Sequence, residues 1–481
     1  MRSCTLWGWF SCCILLNLIP LSFYGATVVG GPVEGIWYPE GNPYIVENTI
    51  IILPNTRLQI NPGVEVWFCK SDSFLVYGTL LAQGLPGDSI KFLDVNKDHW
   101  RGIWFAPTSN GGFLEYVLLE NPLWGVRADH SNPIIHHATI LAVSSCVFGY
   151  WSEFSLTNSS LEANGQDVDV IRLYHSDAYI SDCRISTSSE YSINYAVGVR
   201  IEESNPDVYH SELNLTAMGM ACGFWLERAA KPNLYFNLVR ISSSNYAFGS
   251  YNERSFPSFV NNTVVLLSAS AVGKGLYLVQ NSAPLIENSI IYGDGTSTGV
   301  VADAGSYPTI RYSDFYNHTV NTLNCSLDEG CILENPLFKD ASAGDYSLSE
   351  NSPCIDAGNP YSPLDPDHTR ADMGYLYFEQ DTVVYVEPAP TQPLPASATL
   401  EIFPNPFNPT GSIVLSLPRS AMGELEIYDV RGRLVEMLAN GILPAGAMHF
   451  TWKAENLGSG IYWVAFRSEN FAQNRKIILI K

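Results

Sequence analysis

One short phrase recurs through the middle of this chain, and its period decides what the chain can fold into. It reads proline, an apolar residue two places on, a small or polar residue five places on, and an apolar residue seven places on. It starts at Pro133 ("NPIIHHATI"), Pro206, Pro232, Pro257, Pro284 ("SAPLIENSIIYG") and Pro308 ("SYPTIRYSDFYN"), and Phe154 and Ala178 replace the proline in two further copies. Successive starts lie 21, 24, 28, 26, 25, 27 and 24 residues apart. A second phrase, small–apolar–any–apolar, runs shortly before it: "GVRA" at Gly125, "GVRI" at Gly198, "GFWL" at Gly223, "GLYL" at Gly275 and "GVVA" at Gly299. Each unit therefore holds at least two period-two strands separated by turn residues.

A unit this short cannot bury its apolar side alone. Stacked coil on coil it makes a parallel β-helix, with equivalent residues about 4.8 Å apart along the axis. The fifth position of the phrase then forms an internal column: Ala138, Ser159, Cys183, Ser211, Asn237, Asn262, Ser289 and Ser313. Small and amide side chains there can bond one another up the stack.

These phrases resemble the right-handed parallel β-helix repeat proteins of bacterial surfaces. "LPNTRLQINPGVEVWF", "VYGTLLAQG" and "WRGIWF" resemble the first coils of such proteins, and "NPLFKDASAGDYSLSENSPCIDAGNP" resembles their last. The resemblance implies an all-β, right-handed solenoid over residues 27–378 with roughly a dozen coils, a hand that the parallel-crossover rule also favours. It is nearly silent about activity, because the same scaffold carries lyases, hydrolases, epimerases and adhesins.

The two ends read differently. Residues 1–26 hold Arg2, the apolar run "CCILLNLIPLSF" and the small Gly25 and Ala26, the pattern of an export signal. The run is shorter than the roughly 20 residues of a spanning helix and is broken by Asn17 and Pro20, so no transmembrane segment is expected in the mature chain. A buried strand or helix is the alternative. Residues 379–399, with "VEPAPTQPLPASAT", read as a proline-rich extended linker.

Residues 400–481 carry short strand-like runs spaced by turns, which predicts a small β-sandwich. "FPNPFNP", "YDVRGRLV", "LGSGIYWV" and the terminal "RKIILIK" resemble the Ig-like C-terminal sorting domain of the type IX secretion system. That resemblance implies the type IX machinery as a partner and a secreted or cell-surface location in a bacterium. An ordinary Ig-like spacer or binding module is the alternative.

Charge and cysteine content exclude several chemistries. With 26 basic against 48 acidic residues the net charge is −22 and no basic cluster offsets it, so no nucleic-acid partner is expected. The spacing of "CSLDEGC" predicts a disulfide between Cys325 and Cys331, which export would permit. Zinc spacings, phosphate loops and G-x-S-x-G are missing, so neither metal nor cofactor is expected. Calcium alone stays open. Asp365, Asp367 and Asp372 of "DPDHTRADMG" resemble a calcium loop loosely, and a structural turn is the favoured reading.

In the second phrase the third residue points outward, as does the residue two places further on. The first column so read is Arg127, Phe148, Arg172, Arg200, Trp225, Gly249 and Tyr277; the second includes Tyr174, Glu202, Glu227 and Tyr251. Aromatic faces stack on sugars and guanidinium forks grip carboxylates or hydroxyls, so this face suits an extracellular polysaccharide. The ligand-binding candidates are Arg172, Tyr174, Arg200, Trp225, Tyr251 and Tyr277, with Gly249 leaving room for a sugar ring between Trp225 and Tyr277.

A plain exposed sheet, where aromatics are favoured anyway, is the bland alternative. Glu202 and Glu227 fall on adjacent coils and are the candidate catalytic pair, near the roughly 5–5.5 Å of a retaining glycosidase. Arg200 and Arg228 are close enough to pair with them instead. The reading is a secreted or surface β-helix that binds polysaccharide or serves a structural or adhesive role without turnover. The alternative is a polysaccharide lyase or glycoside hydrolase.

Overall fold

The computed structural model describes residues 25–187, 193–267, 272–380, 398–418, 421–443, 446–454, 457–468 and 471–480. The expected leader lies almost wholly outside the described residues, as does most of the linker. Contacts divide the chain near residue 378 into two compact units. Among the described residues no helix is long and apolar enough to cross a membrane.

The first unit is a parallel β-solenoid. Each coil contributes three strands; Ser145–Tyr150, Ser155–Thr157 and Ser160–Ala163 make one coil. The strands gather into one sheet of 12 and one of 24, the latter being two ribbons joined through Tyr44–Ile52, which pairs with both Glu65–Phe68 and Phe74–Val76.

The repeat read from the sequence is the register of this stack. Ile135, Leu156, Ile180, Val208, Leu234, Phe259, Ile286 and Ile310, the apolar second position, pair coil to coil and are fully buried. Ile140, Leu161, Ile185, Leu213, Val239, Val264, Ile291 and Phe315, the seventh, pair likewise in the neighbouring sheet. Each such side chain removed from water is worth about 1.5–3 kcal/mol. A coil therefore gains its stability from its neighbours.

The internal polar column forms as expected. The backbone N–H of Ala138 donates to Ser159 Oγ at 3.0 Å, Ser211 N–H to Asn237 Oδ1 at 3.0 Å, Asn237 N–H to Asn262 Oδ1 at 2.9 Å, and Ser289 N–H to Ser313 Oγ at 3.2 Å. Each side chain caps an amide that the turn removes from the strand ladder.

A second such column was missed. The N–H groups of Ser131, Ser152 and Ser176 donate in the same way to the hydroxyls of Ser152, Ser176 and Ser204 along another turn, and those of Ser255 and Ser282 to Ser282 and Ser306. The residue before Ser131, Ser152, Ser176 and Ser204, respectively His130, Trp151, His175 and Glu203, has a positive φ, which swings the next N–H toward the adjacent coil. The serine two places before the proline was the available signal.

The glycine of the second phrase also has its reason. A Cβ at Gly223 would lie 2.5 Å from the Gly249 carbonyl oxygen and 2.5 Å from Val239; one at Gly275 would meet the Gly299 oxygen at 2.4 Å. Only glycine allows adjacent coils this approach.

The expected last coils are not coils. After the strand Val320–Leu323 the chain makes an antiparallel pair, Phe338–Asp340 with Asp345–Leu348, and then folds back along the flank of earlier coils. Asn359 N–H donates to Asn288 Oδ1 at 2.7 Å, Asn261 Nδ2 to the Asp372 carbonyl at 2.9 Å, and Tyr375 N–H to Thr263 Oγ1 at 3.1 Å. Pro336, Pro353, Pro360 and Pro363 punctuate this strap, which lacks the paired period-two strands of the coils.

The second unit is a β-sandwich. Thr399–Phe403, Thr410–Leu417 and Gly446–Lys453 form one antiparallel sheet; Leu434–Leu443, Ala421–Asp429, Gly460–Ser468 and Phe471–Leu479 form the other. Leu415, Leu425, Ile427, Trp452, Val464 and Phe466 fill its core. In "YDVRGR" the Asp429 carboxylate accepts from the N–H groups of Arg431 and Arg433, and Gly432 takes φ +77°, so the motif encodes a tight turn.

Candidate functional site

The outward column of the sheet that carries the second phrase runs Trp104, Arg127, Phe148, Arg172, Arg200, Trp225, Tyr251, Tyr277 and Val301. The expected position of Gly249 is corrected here: Tyr251, not Gly249, pairs with Trp225. In "YAFGSYNE" Gly249 takes the small first position, Ser250 the apolar one and Tyr251 the outward one, so no gap opens between Trp225 and Tyr277. Glu202 and Glu227 do pair on adjacent coils, with Tyr174 one coil before them.

Most of this column is closed on itself. The rings of Trp225 and Tyr251 stack with centroids 4.1 Å apart, and the Arg200 guanidinium covers the other side of Trp225 at 4.9 Å. Tyr277 meets Tyr251 edge-on at 5.7 Å and carries Lys274 Nζ 3.2 Å from its ring centre. Beneath them Val197, Cys222 and Phe248 form a small apolar cluster on the outside of the sheet, where burial pushes the Cys222 thiol up to about 12. Tyr174 stacks on Tyr150 at 5.5 Å. Rings stacked along the axis spend their faces on each other and show solvent mainly their edges.

Arg200 is equally committed. Its Nε donates to Asp169 Oδ2 at 2.9 Å, Nη1 to Glu227 Oε1 at 3.3 Å, and Nη2 to the Tyr195 hydroxyl. Burial opposes its charge, but Asp169, Tyr195 and Glu227 together hold its pKa above the ordinary arginine value. Glu227 also accepts from Trp225 Nε1, and Glu202 accepts from Arg172 Nη2 at 3.0 Å with Arg228 Nη1 at 3.5 Å. Glu202 thus lies between two arginines, and Glu227 is held by Arg200 and the Trp225 indole.

The face opens lower down. A groove of about 320 Å³ is lined by Trp124, Arg127, Phe148, Asp167, Asp169 and Arg172, with Ser144, Ser145, Val168 and Tyr195 completing it. Trp124 pairs in register with Ser145, a side chain too small to cover an indole, and no described residue stacks on that ring, which is 42% exposed. Arg127 lies between Trp104 and Phe148, at 5.0 and 5.4 Å from their centres, and binds Asp129 at 3.3 Å through Nη2.

Two of the lining residues each keep one polar atom buried away from solvent without a hydrogen-bond partner, Arg127 Nε and Asp169 Oδ1. Of the sequence-predicted ligand residues only Arg172 lines the groove. Trp124, Asp167 and Asp169 were missed, although Trp124 directly precedes "GVRA".

The expected Cys325–Cys331 disulfide is not formed; both are free thiols. Cys331 Sγ is turned to the Ile310 carbonyl at 3.4 Å and Cys325 Sγ to that of Leu323 at 3.8 Å. In "DPDHTRADMG" the acids hold backbone amides: Asp372 accepts from the N–H groups of Asp356 and Phe378, and Asp365 from that of Asp372. Among the described residues no cluster of three acids, histidines or cysteines suits a metal.

Comparison with known proteins separates the two units. Residues 401–481 match the family model of the secretion system C-terminal sorting domain. No curated protein matches the chain. One similar solved structure is a mutant tailspike protein of Escherichia coli bacteriophage HK620 in complex with a pentasaccharide. It is 9% identical, with 90% of this chain and 86% of that one covered at a TM-score of 0.26. Another is PfbA, a surface adhesin of Streptococcus pneumoniae, 10% identical, with 63% and 84% covered at a TM-score of 0.20. At these values neither likeness carries an argument about this chain. Its own strand pairing and its tail do: this is a parallel β-solenoid protein that ends in a type IX secretion sorting domain, and it is exported to the surface or surroundings of a bacterium.

Proposed function

We propose that the solenoid binds extracellular polysaccharide in the groove beside Trp124 and does so without turnover. The observation that carries this is the exposed indole of Trp124, on which no described residue stacks, in a groove also lined by the exposed polar side chains of Asp167 and Arg172. Carbohydrate recognition needs that combination, an apolar face for the ring and fixed polar groups for its hydroxyls. Elsewhere along the column the rings cover one another. Glu202 and Glu227, each held by arginine, serve as anchors for Arg172 and Arg200 rather than as a free acid and nucleophile.

The test is binding of the purified solenoid to immobilised polysaccharides, with a parallel screen for reducing and unsaturated ends. Retention without product release is expected, and Trp124→Ala should weaken it by about 1–3 kcal/mol, taking stacking of planar ligands on aromatics as the scale. Product release lost in Glu227→Gln would establish the lyase or hydrolase reading instead.

A further inference from the structure

The shape of the groove decides how a glycan lies and how much of it is held, an inference that rests on the binding reading above. Its lining residues do not sit on one coil. Trp124 and Ser145 belong to neighbouring coils, Asp167 to the next and Tyr195 to the one after, so the groove runs along the solenoid axis. Above Tyr195 the same column continues in register through Met220, Tyr246 and Val272.

Tyr246 differs from the rings beside it. Trp225 and Tyr251 lie face to face up the axis, whereas the axial neighbours of Tyr246 are Met220 and Val272, neither of them aromatic. Its ring meets Phe248, two residues along its own strand, with centroids 6.3 Å apart, and the residue stays 43% exposed. The column above the groove thus leads over the half-buried Met220 thioether to an accessible ring. At the other end Arg101, on the coil before Trp124, is exposed as well.

Five coil steps separate Trp124 from Tyr246. At about 4.8 Å per coil they span about 24 Å along the axis. One coil step is close to the advance of one sugar residue in an extended chain, so about five residues bridge the two rings. In order the chain would meet an indole, a carboxylate, a phenol ring, a thioether and a second phenol ring, at Trp124, Asp167, Tyr195, Met220 and Tyr246. Apolar sugar faces and hydroxyl edges match such an alternation. A site for a single terminal sugar would instead be a closed pocket that buries most of its ligand.

We infer that the groove and the strip above it form one axial cleft for an internal stretch of a linear polysaccharide, with Trp124 as one stacking platform and Tyr246 as a second.

The experiment titrates the full chain with size ladders, dimer to octamer, of cello-, xylo-, chito- and polygalacturonate oligosaccharides. On a ladder that wild type binds in a Trp124-dependent manner, affinity should rise tenfold or more between dimer and hexamer and then level off. Tyr246→Ala should remove most of the gain beyond the trimer and change dimer affinity by less than twofold. A bulky tag on the reducing end of the octamer should leave its affinity within twofold, because the cleft holds an internal stretch. Affinity that levels off at the dimer, a gain with length that Tyr246→Ala leaves intact, or a tag that abolishes binding would overturn the inference and leave the binding reading standing. An equal loss at every length in Tyr246→Ala would make the ring structural and overturn it too. No Trp124-dependent binding on any ladder would overturn both.

Discussion

The stretch of outer column from Arg200 to Tyr277 and the groove below it are built from the same residue types on the same sheet, yet they behave differently. In the upper stretch every coil presents a large side chain, and Trp225 and Tyr251 are each covered from above and below. In the groove the coil that should cover Trp124 presents Ser145, and the next strand begins with Asp167. A regular stack consumes its own binding surface, and a break in the stack releases it. Richness in aromatics is therefore a poor guide to where a solenoid binds.

The strongest way to break this comparison lies inside the stack. Asn262 accepts from the backbone and side-chain amides of Asn237 and donates to the carbonyls of Leu234 and Val260. Asn262→Ala would strand several buried groups at about 1–3 kcal/mol each, so an unfolding loss near 4 kcal/mol is expected in denaturant titrations. A loss below about 1 kcal/mol would mean that the polar column is decoration.

On the outer column Trp225→Ala should cost about 2 kcal/mol, below the range for fully buried tryptophans, because the ring is only part-buried. The same change at Trp124 should cost under about 0.5 kcal/mol, as for other exposed sites. Equal costs at the two positions would remove the distinction between stacked and free rings.

A pH effect tests the strap. Asp314 is buried beneath it, next to Cys354, and burial raises its pKa from 3.8 to about 7. The folded state holds that proton more tightly than the unfolded one. Its contribution is therefore full below about pH 4 and fades as pH rises through about 7. Stability should fall across that window in wild type, and the slope should flatten in Asp314→Asn. An unchanged slope in the variant would contradict the assignment.

Much of this architecture was legible in the sequence, because the interior of a solenoid obeys the repeat. The buried columns from Ile135 to Ile310 and the polar column through Asn237 and Asn262 follow from counting alone. The strap from Pro336 carries phrases that resemble terminal coils, but it lacks the proline-to-apolar spacing that sets the register of the others. Gly249 was misplaced because "GSYN" lacks the apolar second residue that sets the phrase.

The groove escaped for a deeper reason. It depends on which side chain one coil sets against the next, as with Ser145 beside Trp124. A pattern within a single coil does not contain that information.

The central claim is that the free ring binds and the stacked rings do not. The most direct measurement compares polysaccharide affinity of wild type, Trp124→Ala and Trp225→Ala under conditions where all three are folded. The account predicts a loss of tenfold or more for Trp124→Ala and a change within twofold for Trp225→Ala. Binding abolished by Trp225→Ala and untouched by Trp124→Ala would contradict it.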